Sequence, residues 1–149
     1  MNKISRQEFL KRSALAGAAI LVSSLESWAI ANEKKLRVAV IGCGSVSNRY
    51  IPSLQTSKWI EIVSLCDIKY DRAVAQNKQY NVNAQTYPHI DAMLKGVPFD
   101  MMVTLTDMQN HGELNKKALV AGKHVWSEKP MANTYAEGKS LLDIAKSKK

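Results

Sequence analysis

The chain is 149 residues long, with 21 lysines and arginines against 13 aspartates and glutamates, a net charge of +8. One domain is the soft expectation at that length. The positive excess is scattered rather than gathered into a basic stripe interleaved with aromatics, which argues against nucleic-acid binding. Two cysteines and three scattered histidines offer no metal-ligand spacing, so no metal is expected.

Residues 1–31 read as an export signal. Lys3, Arg6, Lys11 and Arg12 form a basic start, and Ala14 to Val22 is an apolar stretch too short to span a bilayer. Ala29-Ile30-Ala31 supplies a small-x-small cleavage site, which places a mature N-terminus at Asn32. Within this leader, Ser5-Arg6-Gln7-Glu8-Phe9-Leu10-Lys11 resembles the twin-arginine export motif, with Gln7 where the second arginine belongs. The expectation is a periplasmic protein, or a cytoplasmic one if the leader does not function, with no membrane contact once the signal is removed. Cleavage would remove four basic and two acidic residues, taking the net charge from +8 to +6.

After the leader, strands and helices alternate. Leu36–Ile41 is an apolar strand that stops at Gly42-Cys43-Gly44 and yields to a helix over about Val46–Gln55. A strand over Trp59–Cys66, a helix over Tyr70–Gln79, a weak strand at Gln85–Tyr87 and a short helix at Ile90–Lys95 follow. Then come a buried strand over Asp100–Thr106, a helix over Gln109–Ala121 stopped by Gly122, a strand at Lys123–Trp126 and a helix over Thr134–Lys146 capped by Asn133 or Thr134. This alternation predicts an α/β fold: a Rossmann-type, doubly wound parallel sheet covered on both faces.

The turn at Gly42-Cys43-Gly44, between strand and helix, is how a chain presents backbone N–H groups to a pyrophosphate. Gly42 permits the tight turn, Gly44 leaves no Cβ in the way of the phosphate, and the backbone of Ser45 and Val46 completes the cradle. Ser47 stands where the third fingerprint glycine would be. Asp67 lies 20 residues beyond Ser47 at a strand end, where a carboxylate accepts hydrogen bonds from the adenosine ribose and disfavours a 2′-phosphate. NAD is therefore expected, with NADP as the alternative because Lys69 and Arg72 are close in sequence. The competing reading of Asp67 is a strand-end residue capping a turn. Cys43 and Cys66, each ending a strand, read as small buried hydrophobes rather than a disulfide.

Gly42-Cys43-Gly44 with Pro52, Cys66-Asp67, and Ala118 to Pro130 (ALVAGKHVWSEKP) together resemble the glucose–fructose oxidoreductase/inositol dehydrogenase/MocA (Gfo/Idh/MocA) family over residues 36–149. The resemblance implies the N-terminal NAD(P)-binding domain of an oxidoreductase that moves hydride between a nicotinamide and a sugar-like small molecule: a sugar, polyol or sugar derivative. It implies that Glu128 helps hold the cofactor and that Lys129, beside the nicotinamide, contacts the ribose or substrate and assists proton transfer, with a cis Lys129–Pro130 bond aiming it into the cleft. The competing reading is a surface Lys-Pro turn. Thr106 matches the threonine of the family's Thr-Pro-Asn segment and would border the cofactor, although Asp107 and Met108 replace the other two residues. His111 keeps the family's histidine position, where capping or packing is expected ahead of acid–base work. Trp59 and Trp126 are expected to pack.

Family members carry a further α+β domain that covers the nicotinamide, supplies other catalytic groups and makes the oligomer interface. The resemblance therefore implies a homo-oligomer formed through that domain, and reads this chain as stopping before the last strand of the sheet and inactive alone. Two other readings stand beside the oxidoreductase: an NAD-dependent glycoside hydrolase of the same fold, and a non-catalytic nucleotide-binding remnant.

Overall fold

The computed structural model describes residues 34–148. The expected export leader, its cleavage site and Asn32 lie outside the described residues. Five parallel strands form one sheet: β1 (Leu36–Ile41), β2 (Ile60–Cys66), β3 (Gln85–Tyr87), β4 (Met101–Thr104) and β5 (His124–Ser127). Their spatial order is β3-β2-β1-β4-β5. The helices are α1 (Ser47–Gln55), α2 (Tyr70–Gln79), α3 (Ile90–Lys95), α4 (His111–Val120, after a 3-10 turn at Met108–Asn110) and α5 (Tyr135–Ser147).

The apolar run of β1 follows from burial on both faces. Val38 and Val40 point to one side, among Ile51 of α1 and Ala73 of α2. Ala39 and Ile41 point to the other, among Ile90 and Met93 of α3, Ala118 of α4, and Phe99 from the loop before β4. Successive side chains in a strand alternate, so a strand buried twice must be apolar at every position. Arg37 escapes this rule at the entry to the sheet. There its guanidinium pairs with Asp100, Nη2 to Oδ1 at 2.8 Å, and its backbone N–H donates to Oδ2 at 2.9 Å.

Helix ends follow local chemistry. Thr134 Oγ1 accepts from the Glu137 N–H at 3.2 Å, and Glu137 Oε2 accepts from the Asn133 N–H at 2.7 Å, a reciprocal cap that starts α5. At the far end of α4, Gly122 has φ +73°. Its N–H donates to Leu119 O, and that of Lys123 to Ala118 O, each at 2.9 Å, closing the helix in the paired pattern that needs a left-handed residue. Pro52 inside α1 cannot donate to the Asn48 carbonyl, and Tyr80 Oη reaches that oxygen from α2 at 3.4 Å.

Two expectations are corrected. β4 ends at Thr104, because Leu105 and Thr106 turn to pack over the backbone of Gly42. Trp59 precedes β2 rather than lying in it and is 49% exposed, with Lys58 Nζ 4.3 Å from its ring centroid. Trp126 is in β5 and packs as expected, its ring resting on Tyr50 while 41% of the residue stays exposed.

β1 is flanked by β2 on one side and β4 on the other, so the chain leaves β1 in one direction along the sheet and returns past it in the other. α1 and α2 thus cover one face, and α3 and α4 the opposite face. The crevice outside the carboxyl ends of β1 and β4 lies where those connections part, the place open α/β sheets reserve for ligands.

Candidate functional site

Gly42 turns the chain out of β1 with φ +96°, and its N–H donates to Cys66 O at 2.8 Å. A Cβ there would stand 2.6 Å from Leu105 C and Thr106 N, so glycine is required both by conformation and by the close approach of the loop after β4. At Gly44 a Cβ would meet only Arg72 Nη1, at 3.9 Å. The room above Gly44 is open and belongs to whatever binds there.

The next few amides define the chemistry of the turn. Cys43 N–H is spent on Asp67 Oδ2 at 2.8 Å. Ser47, Asn48 and Arg49 N–H groups donate back to Gly44, Ser45 and Val46 carbonyls at 3.1–3.3 Å. The N–H groups of Gly44, Ser45 and Val46 have no acceptor among the described residues, and no side chain caps α1. Three consecutive unspent donors at a helix N-terminus form an anion cradle. Ser47 is fully buried, and its Oγ donates to Gly44 O at 2.6 Å, holding the turn where a third glycine would only leave space.

Asp67 is 7% exposed. Besides Cys43, it accepts the Lys69 N–H on Oδ1 at 2.8 Å. Each oxygen keeps a further acceptor site, so the turn-capping and ribose-binding readings coexist in one carboxylate. Gly42, Gly44, Ser45, Asp67 and Thr106 line one cleft of about 780 Å³, within the range of small-ligand sites. Lys69, Arg72 and the 85% exposed Ile68 share its rim.

Val46 and Glu128 line a second groove of about 580 Å³ with Arg49, Tyr50 and Ser53, reached across Ser45, which borders both spaces. Glu128 Oε1 accepts from Tyr50 Oη and Oε2 from the Lys129 N–H, both at 2.7 Å. These donors hold the Glu128 carboxyl below the usual glutamate range, the Tyr50 bond contributing most. The Lys129–Pro130 bond is cis. Lys129 is exposed and lines neither space; its charge acts on the neighbouring Glu128 carboxylate.

His111 is neither exposed nor a cap. Its ring is 1% exposed, with Nδ1 2.7 Å from Pro130 O and Nε2 2.8 Å from Thr106 O, so it ties the loop after β5 to the loop after β4. One turn along α4, Asn115 accepts from Thr104 Oγ1 at 2.8 Å and donates to Ser127 Oγ at 2.9 Å and Met131 O at 3.0 Å. Sequence reasoning missed Asn115 and Tyr50. The spacing of His111 and Asn115, two polar residues four apart on one helix face, was the available signal for the first. Cys43 and Cys66 are buried free thiols, as expected.

A family model described as "Oxidoreductase family, NAD-binding Rossmann fold" (GFO_IDH_MocA) matches residues 36–149. The D-glucoside 3-dehydrogenase of Escherichia coli K12 is 35% identical over 112 residues, covering 74% of this chain and 32% of its own. Among solved structures, the WlbA dehydrogenase of Chromobacterium violaceum, in complex with NADH and UDP-GlcNAcA, is similar with a TM-score of 0.73 at 25% identity, over 78% of this chain and 34% of that one. KijD10, a 3-ketoreductase from Actinomadura kijaniata in complex with NADP and TDP-benzene, gives 0.72 at 26% identity, over 77% and 35%. The chain spans about a third of the length of these relatives.

Proposed function

The chain belongs to the Gfo/Idh/MocA oxidoreductase family, with its NAD-binding Rossmann fold, and from that premise we propose that it forms the cofactor half of an enzyme moving hydride between a nicotinamide and a sugar, polyol or sugar derivative. The observation that carries the proposal is the pairing of three unspent amides, Gly44 to Val46, with the Asp67 carboxylate one strand away. The amides suit a pyrophosphate, and Asp67 suits the adjoining ribose hydroxyls. Bound NAD would supply the hydride acceptor. This chain's contribution is to orient it, with Thr106 along the cleft and Glu128 at the nicotinamide end. Lys129, on the loop after β5, would polarise a substrate hydroxyl or carbonyl as its proton moves. The substrate class is supported by the relatives, one named for a glucoside and one solved with a UDP-sugar.

Asp67 favours NAD over NADP, because a 2′-phosphate would bring negative charge against a buried carboxylate; Lys69 and Arg72 on the same rim temper the preference. Calorimetric titration of the chain with NAD, NADP and ADP-ribose tests this reading. NAD should bind more tightly than NADP. Asp67→Ala should narrow that gap by on the order of tenfold, the weight of a hydrogen bond to a charged group. Absence of binding by all three nucleotides would overturn the proposal. The chain alone is expected to bind cofactor without turning over a sugar, since among its described residues the site supplies little beyond cofactor contacts. The leader, by its composition, supports export to the periplasm; sequencing the N-terminus of the secreted protein should give Asn32.

A further inference from the structure

Building on that cofactor reading, we propose that Tyr50 is a positioning residue that fixes the Glu128 carboxylate as the acceptor for the nicotinamide end of the dinucleotide. Tyr50 stands on α1, four residues beyond the last unspent amide of the turn, and Glu128 follows β5 on the far side of the groove. Tyr50 Oη donates to Oε1 at 2.7 Å, and the Lys129 N–H donates to Oε2 at 2.7 Å. Each carboxylate oxygen is therefore held by one protein donor and keeps an acceptor site free.

The tyrosine is itself held. Its ring lies against Trp126, two residues before Glu128, with centroids 5.1 Å apart and planes tilted by 55°, a favoured aromatic arrangement. The phenol thus spans from the helix of the anion cradle to the strand that carries Glu128. Ser45, Val46, Tyr50 and Glu128 border one groove, and Ser45 also borders the cleft that contains Asp67. A dinucleotide seated on the amides of Gly44 to Val46 with its adenosine at Asp67 directs its other half into that groove. The groups offered there are ribose hydroxyls and a carboxamide NH₂, all donors, and a fixed carboxylate is their complement.

The shared hydrogen bond also sets charge. It raises the Tyr50 hydroxyl and lowers the Glu128 carboxyl, so the pair persists as phenol and carboxylate. Lys129 and His111 add their positive influence on Glu128, and Arg49 lines the same groove.

The test uses the 149-residue chain with Tyr50→Phe, which keeps the ring against Trp126 and removes only the hydroxyl. NAD and ADP are titrated calorimetrically in parallel, and the Glu128 carboxyl is followed by carbon-13 NMR against pH. NAD affinity should fall roughly fivefold, the weight of one hydrogen bond, with ADP unchanged because it lacks both the nicotinamide and its ribose. The Glu128 titration should move up toward the ordinary glutamate range. In a Glu128→Ala background, Tyr50→Phe should cost nothing further. Equal loss for both nucleotides would make Tyr50 a strut for α1 and overturn the assignment, as would an unmoved Glu128 titration or unchanged NAD affinity. Failure of both nucleotides to bind the unaltered chain would instead bring down the cofactor reading, and this assignment with it.

Discussion

Gly42 and Gly44 stand two residues apart, yet a methyl group would meet opposite fates at them. At Gly42 it would be forced into a φ of +96° and driven to 2.6 Å from the backbone of Leu105 and Thr106. Gly42→Ala should therefore destabilise the fold by at least about 2 kcal/mol. At Gly44 the methyl would touch only the tip of Arg72, so Gly44→Ala should leave the urea midpoint within about 0.5 kcal/mol of the parent. Its cost should appear in nucleotide affinity, a loss on the order of tenfold, because the methyl occupies the space the pyrophosphate needs. Urea denaturation and NAD titration of both variants check the contrast; equal instability would show that Gly44 serves the fold. The glycine string was legible in the sequence, because turn and phosphate approach impose a residue type at a fixed spacing. The contact of Asp67 with the Cys43 N–H was not, since it joins residues 24 apart. Nor was Tyr50, whose partner lies 78 residues away.

Among elements, α4 carries the most hidden work. Periodicity predicted a helix from Gln109 to Ala121, and the structure gives a 3-10 turn followed by His111–Val120. What periodicity cannot show is which partners its buried polar residues find. His111 grips Thr106 O and Pro130 O, while Asn115 joins Thr104, Ser127 and Met131. Both residues are buried, and the Thr104–Asn115 bond is formed where water cannot replace it. Asn115→Leu keeps a side chain of similar size, yet it should destabilise the fold by about 1–3 kcal/mol, because Thr104 Oγ1 loses its acceptor while remaining fully buried. Equilibrium urea unfolding measures this; a variant as stable as the parent would mean that Asn115 is replaceable by packing. The strands were easier to place. β1 and β3 matched their expected limits, whereas β4 stopped short for a tertiary reason, the crossing of Leu105 and Thr106 over Gly42.

The whole molecule adds a pH response that belongs to none of its elements singly. Cys66 precedes Asp67 in the sequence, and Cys43 ends up beside them only because β1 and β2 are neighbours in the sheet. Burial pushes both thiols up to about 12, with the negative charge of Asp67 adding to it, from an ordinary value of 9.0. The folded state therefore keeps both thiol protons at a pH where the unfolded chain has released them. A group raised on folding contributes its full stability below the unfolded value and loses it as pH rises toward the folded one. The window is pH 9 to 12, and in it the unfolded state gains relative to the native state by ionising. Thermal melts between pH 8.5 and 11 should fall more steeply for the parent than for Cys43→Ala/Cys66→Ala, which lacks both titrations while lysines and tyrosines titrate in both proteins. Parallel slopes would remove the thiols as the cause. The same burial predicts that neither thiol reacts with iodoacetamide at pH 8 while the chain is folded, since alkylation requires the thiolate and access to it. NAD at one hundred times Kd should slow the reaction about a hundredfold further, the equivalent of about 2.7 kcal/mol, when labelling proceeds through global opening. Labelling rates that ignore NAD would instead mean that the thiols are reached by a local opening that leaves the nucleotide site intact.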